Sequence, residues 1–231
     1  VGNITSVTRN GLTTTYEYDS LGQLTRVNDP HAGKSTMYLY DCGGNMTGYL
    51  SAPYTLAPTL EEVNETVFYT YGDSNWKDKV TAIGGKAITY DAIGNPLTYD
   101  GWTFTWKAGR MLASMVKTGT NAQFTYDHNG LRIKKVVNGV TTNYTLNGKN
   151  VVHMTQGSHD LHFFYDAQGK PGMVTYNDVD YFYVYNLQGD VVALIDANGT
   201  QVVEYVYDAW GNPISKTGTM AATLGTVNPF R

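Results

Sequence analysis

Tyr18-Asp19-Ser20-Leu21-Gly22-Gln23-Leu24 reads as a strand running into a tight turn. Aspartate favours the first position of a type I turn, because its side chain accepts a hydrogen bond from the backbone two residues on. Glycine three residues later takes a positive φ without steric cost. The pair predicts a short hairpin loop with a bulge at the glycine. The residues leading in, Thr14-Thr15-Tyr16-Glu17-Tyr18, alternate with period two and are rich in β-branched and aromatic side chains, which is the strand signal.

The pattern returns along the chain. Tyr90-Asp91 with Gly94, Tyr126-Asp127 with Gly130, Tyr165-Asp166 with Gly169 and Tyr207-Asp208 with Gly211 repeat it. Tyr40-Asp41 fits with Gly44 after an extra glycine, and Tyr185-Asn186 with Gly189 replaces aspartate by asparagine, which plays the same turn role. Degenerate copies stand at Tyr71-Gly72-Asp73, Trp106-Lys107-Ala108-Gly109-Arg110 and Tyr144-Thr145-Leu146-Asn147-Gly148. Marker aromatics at 18, 40, 71, 90, 106, 126, 144, 165, 185 and 207 set a period of about twenty residues. The interval from 40 to 71 is long; it holds Ser51 to Asn64, with Pro53 and Pro58, and reads as an insertion or bulging loop. The candidate site residues are thus structural: the Tyr, Asp or Asn, and Gly of each turn.

The second turn of each unit is often Asn-Gly, at Asn10-Gly11, Asn138-Gly139, Asn147-Gly148 and Asn198-Gly199, with Gly84-Gly85 and Asp100-Gly101 serving similarly. Each unit is then two short strands and two turns, giving roughly eighteen to twenty strands of about five residues. No helix is expected. The best helical window, 106–117, alternates at Met111, Ala113 and Met115 and favours a strand. Units of this length cannot bury a face alone and must stack on their neighbours. Stacking in register would set the tyrosines of successive units beside one another. Nineteen tyrosines against seven phenylalanines suit half-buried rings with a polar tip. The expected fold is all-β: a repetitive strip of antiparallel hairpins, curled or spiralling. Its divisions are hairpin repeats over 1–50, the inserted loop over 51–66, hairpin repeats over 67–180, and a closing segment over 181–231.

Composition excludes several classes. At 231 residues the chain suits one large all-β domain or a run of repeats. It is 42% hydrophobic and only 16% charged, which argues against disorder. Net charge is −4 with no Lys/Arg run, so no nucleic-acid groove is visible. No apolar run is long enough to span a membrane, and no charged-then-apolar leader stands at Val1. The single cysteine, Cys42, has no internal disulfide partner. Val1-Gly2-Asn3-Ile4 reads as the tail of a turn whose beginning is missing, and Asn228-Pro229-Phe230-Arg231 as an end without terminal structure. Exposed strand edges at both ends predict edge-to-edge self-association.

The multiplied Tyr-Asp-x-x-Gly copies resemble the Rhs/YD-repeat family over most of the chain. The closing segment, Tyr181 to Arg231, is similar to the lead-in to that family's associated core domain, which Asn228-Pro229-Phe230-Arg231 would begin. The resemblance implies a β-sheet strip that spirals into a hollow shell. In bacterial members the shell encloses a variable C-terminal toxin; in animal members similar repeats form the barrel of a cell-surface adhesion protein. It also implies a secreted or cell-surface, wall-associated setting in a bacterium. The implied partner is a C-terminal effector of the same polypeptide, outside this chain. The family's bacterial core carries an aspartyl self-cleavage motif of paired Asp-Pro-x-Gly segments. Asp29-Pro30-His31-Ala32-Gly33 lacks that spacing and partner, so no catalytic residue is carried over.

Other constellations have plainer explanations. The repeated aspartates all sit at the first turn position, so the turn role accounts for them. Gly33-Lys34-Ser35 ends like a phosphate-binding loop, but the required glycine at position 28 is Asn28. His153, His159 and His162 lie close, with Asp160 between them, yet lack metalloprotease spacing; they read as a polar turn and strand face. On a strand, His162 would point away from Leu161 and Phe163. Cys42 occupies a variable turn slot. Five Asn-x-Ser/Thr sequons, Asn64-Glu65-Thr66 and Asn143-Tyr144-Thr145 among them, follow from a chain rich in Asn and Thr. Trp76, Trp102, Trp106 and Trp210 are candidates for stacking on a cell-surface glycan, against the simpler role of packing within the strip. The sequence thus predicts a non-catalytic wall segment with no cofactor and no metal, with a glycan- or partner-binding surface module as the other reading.

Overall fold

The computed structural model describes residues 2–231, so the turn remnant expected from Val1 begins outside the described residues. The chain forms two compact units, one ending at Gly101 and one spanning Trp102–Arg231. The boundary falls inside the 67–180 block, where the repeat pattern runs on without a break.

The first unit holds β1 (Ser6–Arg9), β2 (Leu12–Tyr18), β3 (Leu24–Asp29), β4 (Lys34–Tyr40), β5 (Met46–Pro53), β6 (Glu65–Thr70), β7 (Ala82–Ile83), β8 (Lys86–Tyr90) and β9 (Pro96–Tyr99). The second holds β10 (Trp102–Lys107), β11 (Met111–Lys117), β12 (Thr120–Tyr126), β13 (Arg132–Val137), β14 (Val140–Asn147), β15 (Asn150–Gln156), β16 (His159–Tyr165), β17 (Pro171–Tyr176), β18 (Val179–Tyr185), β19 (Val191–Ile195), β20 (Gln201–Tyr207) and β21 (Pro213–Thr217). Within each unit every strand pairs antiparallel with the next. The all-β hairpin array read from the sequence is therefore the fold, with 21 strands among the described residues. Met111–Lys117 is a strand, as its alternation indicates.

Several expectations need correction. A helical turn, α1 (Leu224–Val227), closes the chain where no helix is expected. Asn10-Gly11, Gly84-Gly85 and Asn138-Gly139 do take positive φ at both residues, the two-residue turn that matches strand twist. Asn147 instead ends β14 opposite Asn150, and Gly148, at φ 59°, opens the turn. Asn198-Gly199 belongs to a longer turn begun by Asp196, whose Oδ1 accepts the N–H of Asn198 and Thr200. Asn177-Asp178, at φ 47° and 67°, is a two-residue turn the sequence did not announce.

The two units bury different chemistry. In the first, the fully covered positions are mostly polar: Thr14, Arg26, Asn28, Ser35, Ser51 and Asn95, beside Val27 and Ala52. The Tyr54–Asn64 stretch forms no strand and packs on this face. Arg26, 4% exposed, holds it by donating to the carbonyls of Thr55 (3.2 Å), Ala57 (2.6 Å) and Pro58 (3.0 Å), while its Nε donates to Asn28 Oδ1 at 2.8 Å. An irregular segment offers backbone carbonyls without ladder partners, and a guanidinium is the side chain with most donors to meet them.

In the second unit Met154, Leu161, Phe163, Val174, Tyr183, Leu194, Val203 and Tyr205 form an apolar core with Leu224 of α1. The 218–231 segment covers it. Phe230 meets the rings of Phe163 (5.0 Å), Tyr183 (6.1 Å) and Tyr165 (6.2 Å) edge-on. Asn228, 1% exposed, accepts from Tyr183 Oη at 2.8 Å and donates to the Phe230 carbonyl at 2.7 Å. Arg231 donates to the carbonyls of Thr226 (2.7 Å) and Gly225 (3.1 Å). Asn228–Arg231 form no helix or strand, as expected, but they are packed in place. These residues pack because the face of β16, β18 and β20 that carries Phe163, Tyr183 and Tyr205 offers aromatic surface to bury.

Candidate functional site

Most of the repeat turns are closed by one carboxylate. Asp19 Oδ1 accepts the N–H of Leu21 and of Gln23, both at 2.9 Å, while the Gly22 N–H reaches the Asp19 carbonyl at 3.0 Å. The same arrangement recurs at Asp41, Asp91, Asp127, Asp166 and Asp208. Asn186 reproduces part of it, accepting from the Asp190 N–H at 2.9 Å. Gly44 (φ 87°), Gly94 (φ 85°), Gly130 (φ 79°), Gly169 (φ 80°), Gly189 (φ 95°) and Gly211 (φ 78°) hold the left-handed position, as does Gly22 (φ 77°). At Asp41 the Asn45 side-chain amide, followed by the Asn45 backbone N–H, holds the carboxyl below its ordinary pKa. These carboxylates are engaged by their own turns, which leaves them poorly placed to act on anything else.

A second irregularity accompanies the glycine bulge. Register shifts fall directly before the marker at Tyr18, Tyr40, Tyr90, Trp106, Tyr126, Tyr165, Tyr185 and Tyr207. A bulge breaks the hydrogen-bond ladder locally. The tyrosine of the following repeat donates at that break. Tyr40 Oη donates to the Leu24 carbonyl at 2.8 Å, and Leu24 is the residue paired with Tyr18. Tyr71 reaches Met46, the partner of Tyr40, at 2.8 Å. Tyr126 reaches Leu112, the partner of Trp106, at 3.0 Å. Tyr165 reaches Val151 at 2.7 Å, Tyr185 reaches Pro171, and Tyr207 reaches Val191 at 2.9 Å. Pro171 and Val191 are again the partners of the preceding markers, Tyr165 and Tyr185. Tyr18 and Tyr90 make the corresponding bond to Ile4 and Val80.

The link from repeat to repeat is therefore hydroxyl to carbonyl. The sequence pointed to adjacent tyrosine rings with polar tips, but the acceptor could not be read, because the bulge that exposes it lies on the partner strand. Burial raises the pKa of the Tyr40, Tyr71, Tyr90, Tyr165, Tyr185 and Tyr207 phenols. It pushes Tyr207 up to about 12, with Tyr205 adding to the effect, and raises Tyr183 further. Their neutral, donating form is the one the fold holds.

The histidine group separates into two. His153, Asp160 and His162 converge on the outer face of β15 and β16. His159 leaves the group and pairs with Tyr176 Oη at 2.8 Å. As the alternation predicts, His162 is exposed while Leu161 and Phe163 are buried. Asp29 to Ser35 is the hairpin from the end of β3 to the start of β4: Asp29 Oδ1 accepts from His31 N–H, and Ser35 Oγ is buried against the Thr55 carbonyl. Cys42 is exposed in its turn. Of the tryptophans, Trp76 lies against Gly94 with the Lys79 ammonium 5.7 Å from its ring, and Trp102 stacks on Phe104 below Lys117. Trp106 lies on β10, and Trp210 sits half-exposed in the Asp208 turn.

A family model described as Teneurin YD-shell matches residues 2–225. Among curated proteins, the tRNA3(Ser)-specific nuclease WapA of Bacillus spizizenii is 34% identical over 204 residues, covering 85% of this chain and 8% of that protein. The tRNA nuclease WapA of Bacillus subtilis is 33% identical over 204 residues, with the same coverage of 85% and 8%. The chain thus spans a small fraction of the length of these relatives. Among solved structures, the Tc holotoxin pore of Photorhabdus luminescens carrying a TccC3 mutation matches 92% of this chain and 12% of its own, at 16% identity and a TM-score of 0.61. A TcdB2-TccC3-Cdc42 crystal structure matches the same shares at 16% identity and a TM-score of 0.62. These two likenesses are of fold.

Proposed function

The chain belongs to the teneurin YD-shell family, and on that premise we propose that it is a non-catalytic wall segment enclosing a C-terminal effector of the same polypeptide. The observation that carries this reading is the run of tyrosine ties. Most repeats use an aspartate to close their own turn and a tyrosine to fasten the turn before it. The recurring polar groups are thus engaged in building wall. On this reading 1–50 and 67–180 are wall repeats, the inserted loop expected over 51–66 narrows to 54–64 between β5 and β6, and 181–231 leads into the core that would close the shell. The nuclease activity named for the WapA relatives would lie outside the matched segment. The setting would be secreted or at the bacterial surface, and the mechanism steric: a continuous hydrogen-bonded wall keeps proteases and substrates from the cargo.

The test starts with the gene beyond codon 231. Paired Asp-Pro-x-Gly motifs followed by an unrelated cargo sequence are expected; a stop codon there would sink the proposal. In the full-length protein the cargo should resist protease that digests it readily when expressed alone. The 231-residue chain should show no turnover of tRNA, and measurable turnover would overturn the non-catalytic reading.

A further inference from the structure

The outer face of the β15–β16 hairpin carries a donor set that the wall reading does not use. His153 and His162 stand directly opposite one another across the pair, so the register holds their Cβ atoms about 4.5–5.5 Å apart. Asp160 lies two residues before His162 on the same strand and shares its face. The imidazoles stack, with centroids 4.3 Å apart and planes 14° from parallel. Nε2 of each ring stands 3.1 Å from one oxygen, Asp160 Oδ1. All three donor atoms lie within 4.8 Å of one another.

The arrangement is fixed from several sides. The Asp160 N–H donates to Asn177 Oδ1 at 2.9 Å, and its carbonyl accepts the Asn177 N–H at 3.0 Å. The opposite face of the hairpin buries Met154 and Leu161 at 2% and 0% exposure, so a register slip that reversed the faces would expose them. Thr175, beside His162 on β17, is engaged with Asp180 at 2.6 Å and leaves the cluster to its three members.

We propose that His153, Asp160 and His162 bind a borderline divalent transition ion of the Zn2+ class, through two imidazole nitrogens and one carboxylate oxygen. Zn2+ takes such donors at about 2.0–2.2 Å, and a tetrahedron on those bonds has edges of about 3.3–3.5 Å. The 3.1 Å nitrogen–oxygen separations already approach those edges. Imidazole donors favour Zn2+, Cu2+ and Ni2+, whereas Mg2+ and Ca2+ call for more oxygen ligands than one carboxylate offers. The face is open, so water completes the coordination. The ion would join β15 to β16 from outside, as a staple on one hairpin of the wall.

Tag-free chain titrated with ZnCl2 should bind one ion per chain, with a rise in thermal midpoint that EDTA reverses; MgCl2 and CaCl2 should give neither. X-ray absorption should show nitrogen/oxygen ligation with two imidazoles. Loss of an outer partner of a metal ligand typically costs ten- to a hundredfold in affinity, so His162→Ala and Asp160→Asn should each weaken binding by at least about tenfold. His162→Cys keeps a zinc ligand and should retain binding, which separates lost ligation from lost folding. His128→Ala, in a distant turn of the same unit, should bind as the parent does. Absence of saturable binding, or unchanged affinity in His162→Ala, would overturn the proposal.

Discussion

In the first unit Arg26 sits 4% exposed against an irregular loop, its guanidinium committed to three backbone carbonyls. In the second, Leu224 sits at 0% exposure among Leu161, Val203 and Tyr205. Both units carry the same Asp-closed turns and the same tyrosine ties. The repeat therefore makes the sheet, and segments outside the repeat decide how its face is covered. A loop that presents carbonyls needs donors beneath it, hence the polar interior of the first unit. A segment that presents Leu224 and Phe230 needs apolar surface, hence the aromatic interior of the second.

The contrast can be broken most sharply from the apolar side. Leu224→Ala should destabilise the second unit by about 3 kcal/mol, the range for a buried leucine truncated in a packed core. Hydrogen exchange read by mass spectrometry should show the loss over β16, β18 and β20, with the first unit unchanged. Equal loss in both units would mean that they unfold together and that the contrast is static only.

The matching change on the polar side is Arg26→Met. It keeps bulk but strands the carbonyls of Thr55, Ala57 and Pro58, at an expected cost of about 2 kcal/mol. Here protection should fall first across 54–64. A variant as stable as the parent would show that solvent reaches those carbonyls without the guanidinium.

The shared feature predicts equal effects. Tyr40→Phe and Tyr165→Phe each remove one tie to a carbonyl and should cost about 1 kcal/mol in either unit. Tyr183→Phe should cost more, because its hydroxyl donates to the buried Asn228 rather than to a strand end. Urea midpoints compare the three directly.

The smallest effects come with pH, and only the acid arm should separate the two units. In the first unit the Lys79 ammonium, followed by backbone N–H groups, holds Asp73 at a pKa of about 2, and Asp41 is also lowered. Their contribution is complete above the unfolded value near 3.9 and is lost as pH falls toward 2. In the second unit burial raises Tyr183, Tyr205 and Tyr207, the last to about 12. That contribution is complete below pH 10 and is lost as pH rises toward 12. Acid melting should therefore bring out first-unit losses, whereas alkaline melting followed by tyrosinate absorbance should weaken both units, because burial also pushes Tyr49 of the first unit up to about 12.

Much of this was legible in the residues. Asp19 and Gly22 name their turn because both act through local backbone, within a span the sequence itself displays. Asn147-Gly148 and Asn198-Gly199 misled for the same reason in reverse: the dipeptide is local, but which of its residues enters the turn depends on strand register. The carbonyl that Tyr40 meets lies 16 residues back. No nearby residue encodes it, since a bulge in a neighbouring hairpin presents it.

The His153–Asp160–His162 cluster shows where the line falls. Sequence alternation placed His162 on the outer face, opposite Leu161 and Phe163, and dismissed His159 and His153 along with it as a polar strand face. Only the pairing of β15 with β16 set His153 across from His162 and sent His159 to Tyr176. The sequence by itself determined the turns, the strand periodicity and the repeat, which are consequences of backbone geometry over a few residues. The tertiary structure decided the ties between repeats, the cover on each face and the convergence of that donor set, because these depend on which distant backbone and side-chain groups the paired strands bring within bonding distance.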